Sequence, residues 1–496
     1  MPFTSLTFLL FFLPLVVALA WTAGTGRWRT GLLLVASALF YAWGEGPFLF
    51  LLVGSVLGNW GLGLAVASAT GEKSRRRWLW FGLTANVALL VAFKYVAFLT
   101  SGLNWLLDLL GMPILPLPSF HQPVGISFFT FQGMAYLLCV ARDETTAARS
   151  PARAGLLLGL FPGLLAGPIV RARELAPQLG GWRMKLHDVA DGARRFIIGL
   201  AKKVLLADVL GRAVDGIMAG VPNGLSPTLA WLALVAYTLQ IYLDFSGYSD
   251  MAIGVARMLG LRYPENFDLP YTATSVADFW TRWHITLSSW FRDYVFLPVS
   301  YATSRRLDRF GLPLRTETLL AYGSGAAAAM LLIGLWHGAG WHFVAWGGYF
   351  AVLLILERIR LGRRLLKAAP VTLRRGWVLA ATMIGWVLFR AESFGAAAAF
   401  YKVLCGFGHG RPSSAWRFAT AEVLLALVVG TVVSLGLGQK TLRYLAKSSG
   451  WKESATSPIL EAAATWSQVG ALVLLLALSL VWLAGATYTP FIYFQF

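Results

Sequence analysis

Charge and cysteine are what this sequence has least of. Only 13% of its 496 residues are Asp, Glu, Lys or Arg, and just 23 are acidic, which is not the composition of a water-soluble enzyme. Cys139 and Cys405 are the two cysteines. They sit in separate apolar contexts, so a disulfide framework and a cysteine metal set are both excluded, and both thiols read as small apolar packing residues. No GxSxG, HExxH or P-loop string occurs, so hydrolase-triad, zinc and nucleotide mechanisms lack their residues, and no metal site is expected.

What is abundant is apolar. AVILMFWYC make up 57% of the chain, with 21 Trp and 51 Gly, and the mean hydropathy is +0.64. This fits a chain whose solvent is mostly lipid, where glycine is tolerated inside helices and tryptophan gathers at the interfaces. Windows able to cross a core of about 30 Å fall at about 3–23, 30–43, 48–67, 78–98, 124–141, 204–219, 228–245, 318–336, 341–356, 376–389, 420–437 and 467–485. The first has no positively charged start and no clear small-residue cleavage site, so it reads as a retained span.

The formal charge is +19, which in a soluble chain points to nucleic acid. Its distribution points elsewhere. With twelve spans and the N-terminus outside, 36 of the 42 Lys and Arg fall in inner loops. Four more, Arg390, Lys402, Arg411 and Arg417, share one outer loop, and Lys94 and Arg212 lie within spans. The positive-inside tendency therefore accounts for the charge, and no nucleic-acid partner is expected. Residues 99–123, with four prolines and no Lys or Arg, read as an outer loop. The run 154–169, interrupted by Pro162 and Pro168, reads as a re-entrant segment. Such backbone is tolerated at membrane depth only where protein or a water-filled cavity satisfies it, so a central cavity lined by 154–169 and by the segment around 283–299 is expected. Without a fixed-period repeat or a compositional shift, residues 1–496 read as a single all-α polytopic membrane domain.

Ionisable residues in such a chain are functional candidates by default. One cluster runs from Gln240 to Asp250 and holds Tyr242, Asp244, Ser246, Tyr248 and Asp250 at the inner end of a span. A second runs from Asp278 to Asp293 and includes Trp283 and Arg292; if helical, it places His284, Ser288 and Phe291 on one stripe, while Arg282 and Asp293 point elsewhere. The third, GLWHGAGWH (334–342), sets His337 and His342 in a glycine-rich break flanked by Trp336 and Trp341. There a neutral imidazole is able to accept a proton, while His342 reads equally as an interfacial hydrogen-bonder. His121, His187 and His409 lie in predicted loops. Arg282 and Arg292 read either as structural partners of Asp278 and Asp293 or as cations that hold a ligand's phosphates.

The strings PVGISFFTFQGMAYL (123–137), LFPGLLAGPIVRARELAPQL (160–179), TLQIYLDFSGYSDMAIGVARMLGLRYPENF (238–267), DFWTRWHITLSSWFRDYVFLP (278–298), GLWHGAGWHFVAWGGYF (334–350) and GWVLFRAESF (385–394) closely resemble the membrane-bound O-acyltransferase superfamily. The likeness is to its bacterial branch, typified by the alginate O-acetyltransferase membrane subunit. It covers at least 123–394 as a catalytic core, and FIYFQF (491–496) is similar to the same branch. Two departures are visible: Val-Ser-Tyr-Ala-Thr follows Pro298 where the family run is glycine-rich, and His342 stands where the branch usually has another residue.

The resemblance implies a helical bundle with re-entrant or interfacial helices around a central funnel. It implies His337 as the catalytic residue and His284 as the second candidate. The activity it implies is acetyl transfer from cytoplasmic acetyl-CoA, a substrate and not a bound cofactor, across the bacterial inner membrane. The acceptor would be an exported or cell-envelope polysaccharide such as alginate, cellulose or peptidoglycan, reached through a periplasmic transferase partner. The remaining candidates, Tyr242, Asp244, Ser246, Asp250, Arg282, Trp283, Ser288, Arg292, Trp336 and Trp341, would line the substrate path. D-alanyl transfer to teichoic acid and a transporter or flippase are the competing readings.

Overall fold

The fold was read from a computed structural model that describes residues 1–180, 182–219, 224–407, 415–437 and 458–485, with backbone alone for 415–416 and 458–465. His409 and the 491–496 segment lie outside the described residues. The described chain is helical, and no strand occurs in it. Helices cover all twelve predicted windows, but they are unequal. Phe48–Ser68, Glu72–Leu109, Pro227–Met258, Leu314–His337 and Trp466–Gly485 are each long and apolar enough to cross a membrane. Trp341–Arg358 with Arg360–Ala368, bent by 77°, makes a sixth candidate. Phe8–Thr22, Ile126–Ala141, Phe394–Phe407 and Ala421–Ser434 are shorter apolar helices.

Two expected windows prove to be halves of longer helices. The window 204–219 ends a continuous helix over 186–218, and 228–245 opens the 32-residue Pro227–Met258 helix. Hydropathy marks where a helix is apolar, whereas a helix packed inside protein continues through polar residues that its neighbours satisfy. The expected outer loop 99–123 is corrected in the same way. The preceding helix runs on to Leu109, and irregular chain begins only at Met112, just ahead of Pro113.

Pro227–Met258 is the central element: 72% of its apolar window is buried, against 17% for Glu72–Leu109 and 6% for Trp466–Gly485. Glycine lets the 186–218 helix lie against it. A Cβ on Gly192 would stand 2.5 Å from the Gly254 carbonyl oxygen, and one on Gly199 would stand 2.5 Å from that of Gly247. Such small-residue contacts are how helices pack where lipid removes the hydrophobic drive. Lys203 is buried at the same crossing, with its Nζ 2.8 Å from Asp244 and 2.6 Å from Asp208. Peripheral helices expose Phe11, Phe50, Trp28 and Val481, an apolar surface suited to acyl chains.

The 154–169 segment forms two short helices, Pro151–Gly159 and Phe161–Leu164, and every residue from 154 to 170 is buried in protein. Side chains satisfy its breaks: Phe161 N donates to Ser37 Oγ (3.1 Å), and Ile169 N donates to Thr286 Oγ1 (3.1 Å). The segment thus buttresses the 285–291 helix from behind; the cavity described below is lined by the 285–296 stretch without it. Trp341–Arg358 and Val371–Arg390 run antiparallel, since Tyr349 Oη donates to the Ala381 carbonyl (2.8 Å) and Trp346 stacks on Trp386. Arg358 and Arg374 therefore share one end of the bundle, and Trp341 and Arg390 the other.

Candidate active site

His337 is the last residue of Leu314–His337, and the extended Gly338 stops the helix there. The chain turns back at once into Trp341–Arg358. Gly334 meets the Phe343 carbonyl and Gly347 meets that of Met330 so closely that neither position has room for a Cβ. This tight hairpin drives the His337 ring into a wall of aromatics, with Trp336 at 4.9 Å, Trp346 at 5.2 Å and Phe389 at 4.9 Å between centroids. The side chain is buried at 4% exposure.

His284 arrives by a break in its own segment, so the expected helical stripe through His284, Ser288 and Phe291 does not form. Val276–Arg282 is one helix. Its first N–H groups are satisfied by the Glu357 carboxylate, which accepts from Val276 N (2.7 Å) and Ala277 N (3.2 Å), and by Ser275 Oγ, which accepts from Asp278 N. Trp283 is then extended, His284 is left-handed at φ 42°, and a second helix, Ile285–Phe291, begins. Positive φ in a non-glycine residue is uncommon and must be held by its surroundings.

Asn266, which the sequence reading did not single out, is what holds it. Its carbonyl accepts from Ile285 N (2.9 Å), and its Oδ1 accepts from Thr286 N (3.2 Å) and Thr286 Oγ1 (2.9 Å) and lies 3.0 Å from His284 Nδ1. A backbone N–H only donates, so the amide face turned to Thr286 is the oxygen. The neutral His284 ring must therefore carry its proton on Nδ1 and its lone pair on Nε2. Nε2 is buried, with no hydrogen-bond partner among the described residues. Asn266 Nδ2 in turn donates to Ser249 Oγ (3.0 Å). The only trace of this in the sequence was the asparagine of RYPENF.

Trp336 joins the two imidazoles. Its ring lies 5.7 Å from His284 and 4.9 Å from His337, backed by Phe128 and Phe131. On the arginine-rich side a cavity of about 320 Å³ is lined by Ile285, Ser288, Arg292, Ile333 and Arg358. Its lining thus includes the residue after His284 and the residue one helical turn before His337. At the Arg390 end a hollow of about 450 Å³ carries the Asp215–Arg390 ion pair (2.8 Å) and reaches Tyr237 and Trp386. Trp386 lies 4.9 Å from Trp283 and stacks on Trp346. Aromatic rings are what separate this hollow from the histidines.

The other predicted residues divide. Trp283, Ser288, Arg292 and Trp336 are at or beside the site. Tyr242 packs edge-on against Phe267 and Tyr271 behind Trp283. Ser246 is buried in the central helix. Asp244 and Asp250 lie inside Pro227–Met258, not at the end of a span: Asp244 faces Lys203, whereas Asp250, paired with Arg195 (2.9 Å) and Lys202 (2.6 Å), lines with Tyr242 a separate cavity of about 560 Å³. Arg282 turns away from the cavity to Asp278 (2.7 Å). Trp341 is 63% exposed and packs on Phe98. Arg292 pairs with Asp293 (2.8 Å) yet still lines the cavity. Burial works to raise the Asp293 carboxyl, but the guanidiniums of Arg292 and Arg171 outweigh it and hold the group below the usual carboxylate range.

A multi-pass helical membrane protein with two buried imidazoles, each close in the chain to residues that line an arginine-bearing cavity, has the makings of a membrane-embedded acyl-transfer enzyme. The chain belongs to the membrane-bound O-acyltransferase family, whose model matches residues 158–388. It is 36% identical over 507 residues, covering all of both chains, to a probable alginate O-acetylase of Pseudomonas putida. It is 32% identical to the peptidoglycan O-acetyltransferase of Helicobacter pylori, over 75% of this chain and 73% of that one. Similarity to the teichoic acid D-alanyltransferase of Bacillus subtilis is 30% over 49% of this chain and 62% of that one. The protein is an acyltransferase.

Proposed function

We propose that this acyltransferase is an O-acetyltransferase of the bacterial inner membrane, passing acetyl from cytoplasmic acetyl-CoA toward an exported or cell-envelope polysaccharide with the help of a periplasmic partner transferase. In this reading twelve helices cross the membrane, the N-terminus is outside and the arginine-rich end faces the cytoplasm. The relatives named for alginate and peptidoglycan acetylation match over most or all of the chain, whereas the D-alanyltransferase matches about half. The observation that carries the reading is the meeting of His284 and His337 across Trp336, with their neighbours Ile285 and Ile333 lining a cavity together with Arg292 and Arg358.

The chemistry follows from those groups. The two arginines attract the phosphate charges of CoA and leave its thioester in the apolar depth of the cavity. The acceptor's hydroxyl oxygen attacks the thioester carbonyl carbon as His337 takes the hydroxyl proton. The C–S bond then breaks, and the departing sulfur takes that proton back as the thiol. A positioned base is worth on the order of 10²–10⁴-fold, and holding both reactants in one tunnel adds the proximity term. With its lone pair on Nε2, neutral His284 has no N–H to offer the carbonyl, so it supports proton transfer in place of polarising the thioester.

The test is purified protein in liposomes with isotopically labelled acetyl-CoA inside and acceptor outside. Wild type should move label to the acceptor. His337→Ala should fold and insert yet transfer nothing, and His284→Ala should lose less, or as much if the two act as a unit. Near-normal transfer by His337→Ala would remove that residue from the mechanism. Label arriving only from a carrier-protein D-alanyl thioester would favour D-alanylation, and passage of a solute without transfer would favour a transporter.

A further inference from the structure

Lys94 is a charge in the middle of a candidate membrane span, Glu72–Leu109, and among the described residues it has no carboxylate within ion-pair distance. An ammonium in that position is costly and is kept only where it does something. The helix is not regular there: Val91–Tyr95 is a π-turn, the wide kind that recurs at functional sites. It turns two consecutive side chains onto one target. Lys94 Nζ donates to the Trp336 carbonyl (2.6 Å) and, more weakly, to that of His337 (3.4 Å), while Tyr95 Oη donates to the Leu335 carbonyl (2.7 Å).

These are the last three carbonyls of the helix that carries His337. Because Gly338 is extended, no further turn supplies N–H donors to them, and at membrane depth water does not reliably replace them. The C-terminal end of a helix also carries partial negative charge, which an ammonium complements. Lys94 Nζ lies 5.9 Å from the Trp336 ring as well, so the same cation touches both the backbone and the side chain of the residue between the two imidazoles.

We propose that Lys94 is a positioning residue for acyl transfer. With Tyr95, it fixes the end of the His337 helix and the Trp336 ring, so that the His337 imidazole is held in its reactive place. This rests on the acetyl-transfer reading above. A displacement of about 1 Å at a reacting group costs on the order of 10²-fold in rate, so loss of the donor should appear in turnover. It should not appear in thioester affinity, because Arg292 and Arg358 line a cavity that Lys94 does not.

The test compares Lys94→Met, Lys94→Gln, Lys94→Arg and Tyr95→Phe in the full-length protein, after thermal unfolding in detergent has shown which are folded. The readouts are acetyl-transfer kcat and KM, and the rate at which diethyl pyrocarbonate modifies His337, followed by mass spectrometry. Lys94→Met should lower kcat on the order of 10²-fold with KM for acetyl-CoA unchanged, and should change His337 modification several-fold. Lys94→Arg, which keeps a charged donor, should recover most of both, and Tyr95→Phe should do less harm than Lys94→Met. If Lys94→Met does not fold, Lys94→Gln takes its place. A folded neutral variant with wild-type kcat and wild-type His337 modification overturns the proposal, and so does activity that merely follows melting temperature with no rescue by arginine. If wild type transfers no acetyl group, the functional reading fails separately, and the modification rate still decides the role of Lys94.

Discussion

His284 occupies a backbone conformation that costs a residue with a Cβ about 1–3 kcal/mol, and the Asn266 side chain and carbonyl hold it there through Ile285, Thr286 and the imidazole itself. Asn266→Ala leaves a buried Thr286 N–H without its acceptor, at about 1–3 kcal/mol, and frees the ring to take either tautomer. Turnover is expected to fall on the order of 10²-fold with little change in KM for acetyl-CoA. Wild-type kcat in a folded Asn266→Ala protein would show that the orientation the amide gives His284 has no part in turnover. Sequence reading found both histidines because glycine, tryptophan and histidine stand out in an apolar chain. It missed Asn266, whose importance comes from contacts to three residues 18 to 20 positions away.

At the scale of elements, the crossing of the 186–218 and Pro227–Met258 helices depends on glycines seven residues apart on each helix of the pair, Gly192 and Gly199 against Gly254 and Gly247. A side chain at Gly247 meets the Gly199 carbonyl and the Lys203 backbone, and these cannot swing aside as a flexible side chain would. Gly247→Val should therefore destabilise the protein by about 1–3 kcal/mol or more and loosen the buried Lys203–Asp244 contact, read as a lower melting temperature in detergent. Gly54→Ala is the matched control, since nothing lies within 4 Å of its added carbon; it should be neutral or slightly stabilising through helix propensity. Equal melting temperatures for the two variants would mean that the glycine crossing contributes nothing. The sequence displayed these glycines but not their pairing, because helix-to-helix register leaves no local pattern.

For the whole molecule, charge gives a prediction about sidedness. Arg358 and Arg374 share the end of the bundle that carries the arginine-lined cavity, opposite Arg390 and its hollow. If 36 of 42 basic residues face the cytoplasm, reporters placed in 68–77 and 357–375 should read as cytoplasmic, and one in the irregular stretch 112–122 as periplasmic. The reverse pattern would put the cationic cavity on the wrong side for a cytoplasmic CoA thioester and end the donor assignment along with the orientation. The reporter belongs in 112–122 because residues 99–109 are helix.

The sequence by itself determined that the chain is a helical membrane protein, where its apolar windows lie, which family its motifs resemble, and that His337 and His284 are the candidates. All of this is carried by composition and by runs of neighbouring residues, which one-dimensional patterns preserve. The tertiary structure decided which charges face a cavity and which only pin helices. Asp244, Asp250 and Arg282 looked the same as Arg292 in the sequence, yet Asp244 is turned to Lys203 and Arg282 to Asp278, while Asp250, held by Lys202 and Arg195, lines a separate cavity with Tyr242. It also decided the His284 tautomer and brought Lys94 to the end of a helix 242 residues further along the chain. A residue's partner in a membrane interior is fixed by the need to satisfy every buried polar group, and that need is met across helices, where sequence distance carries no information.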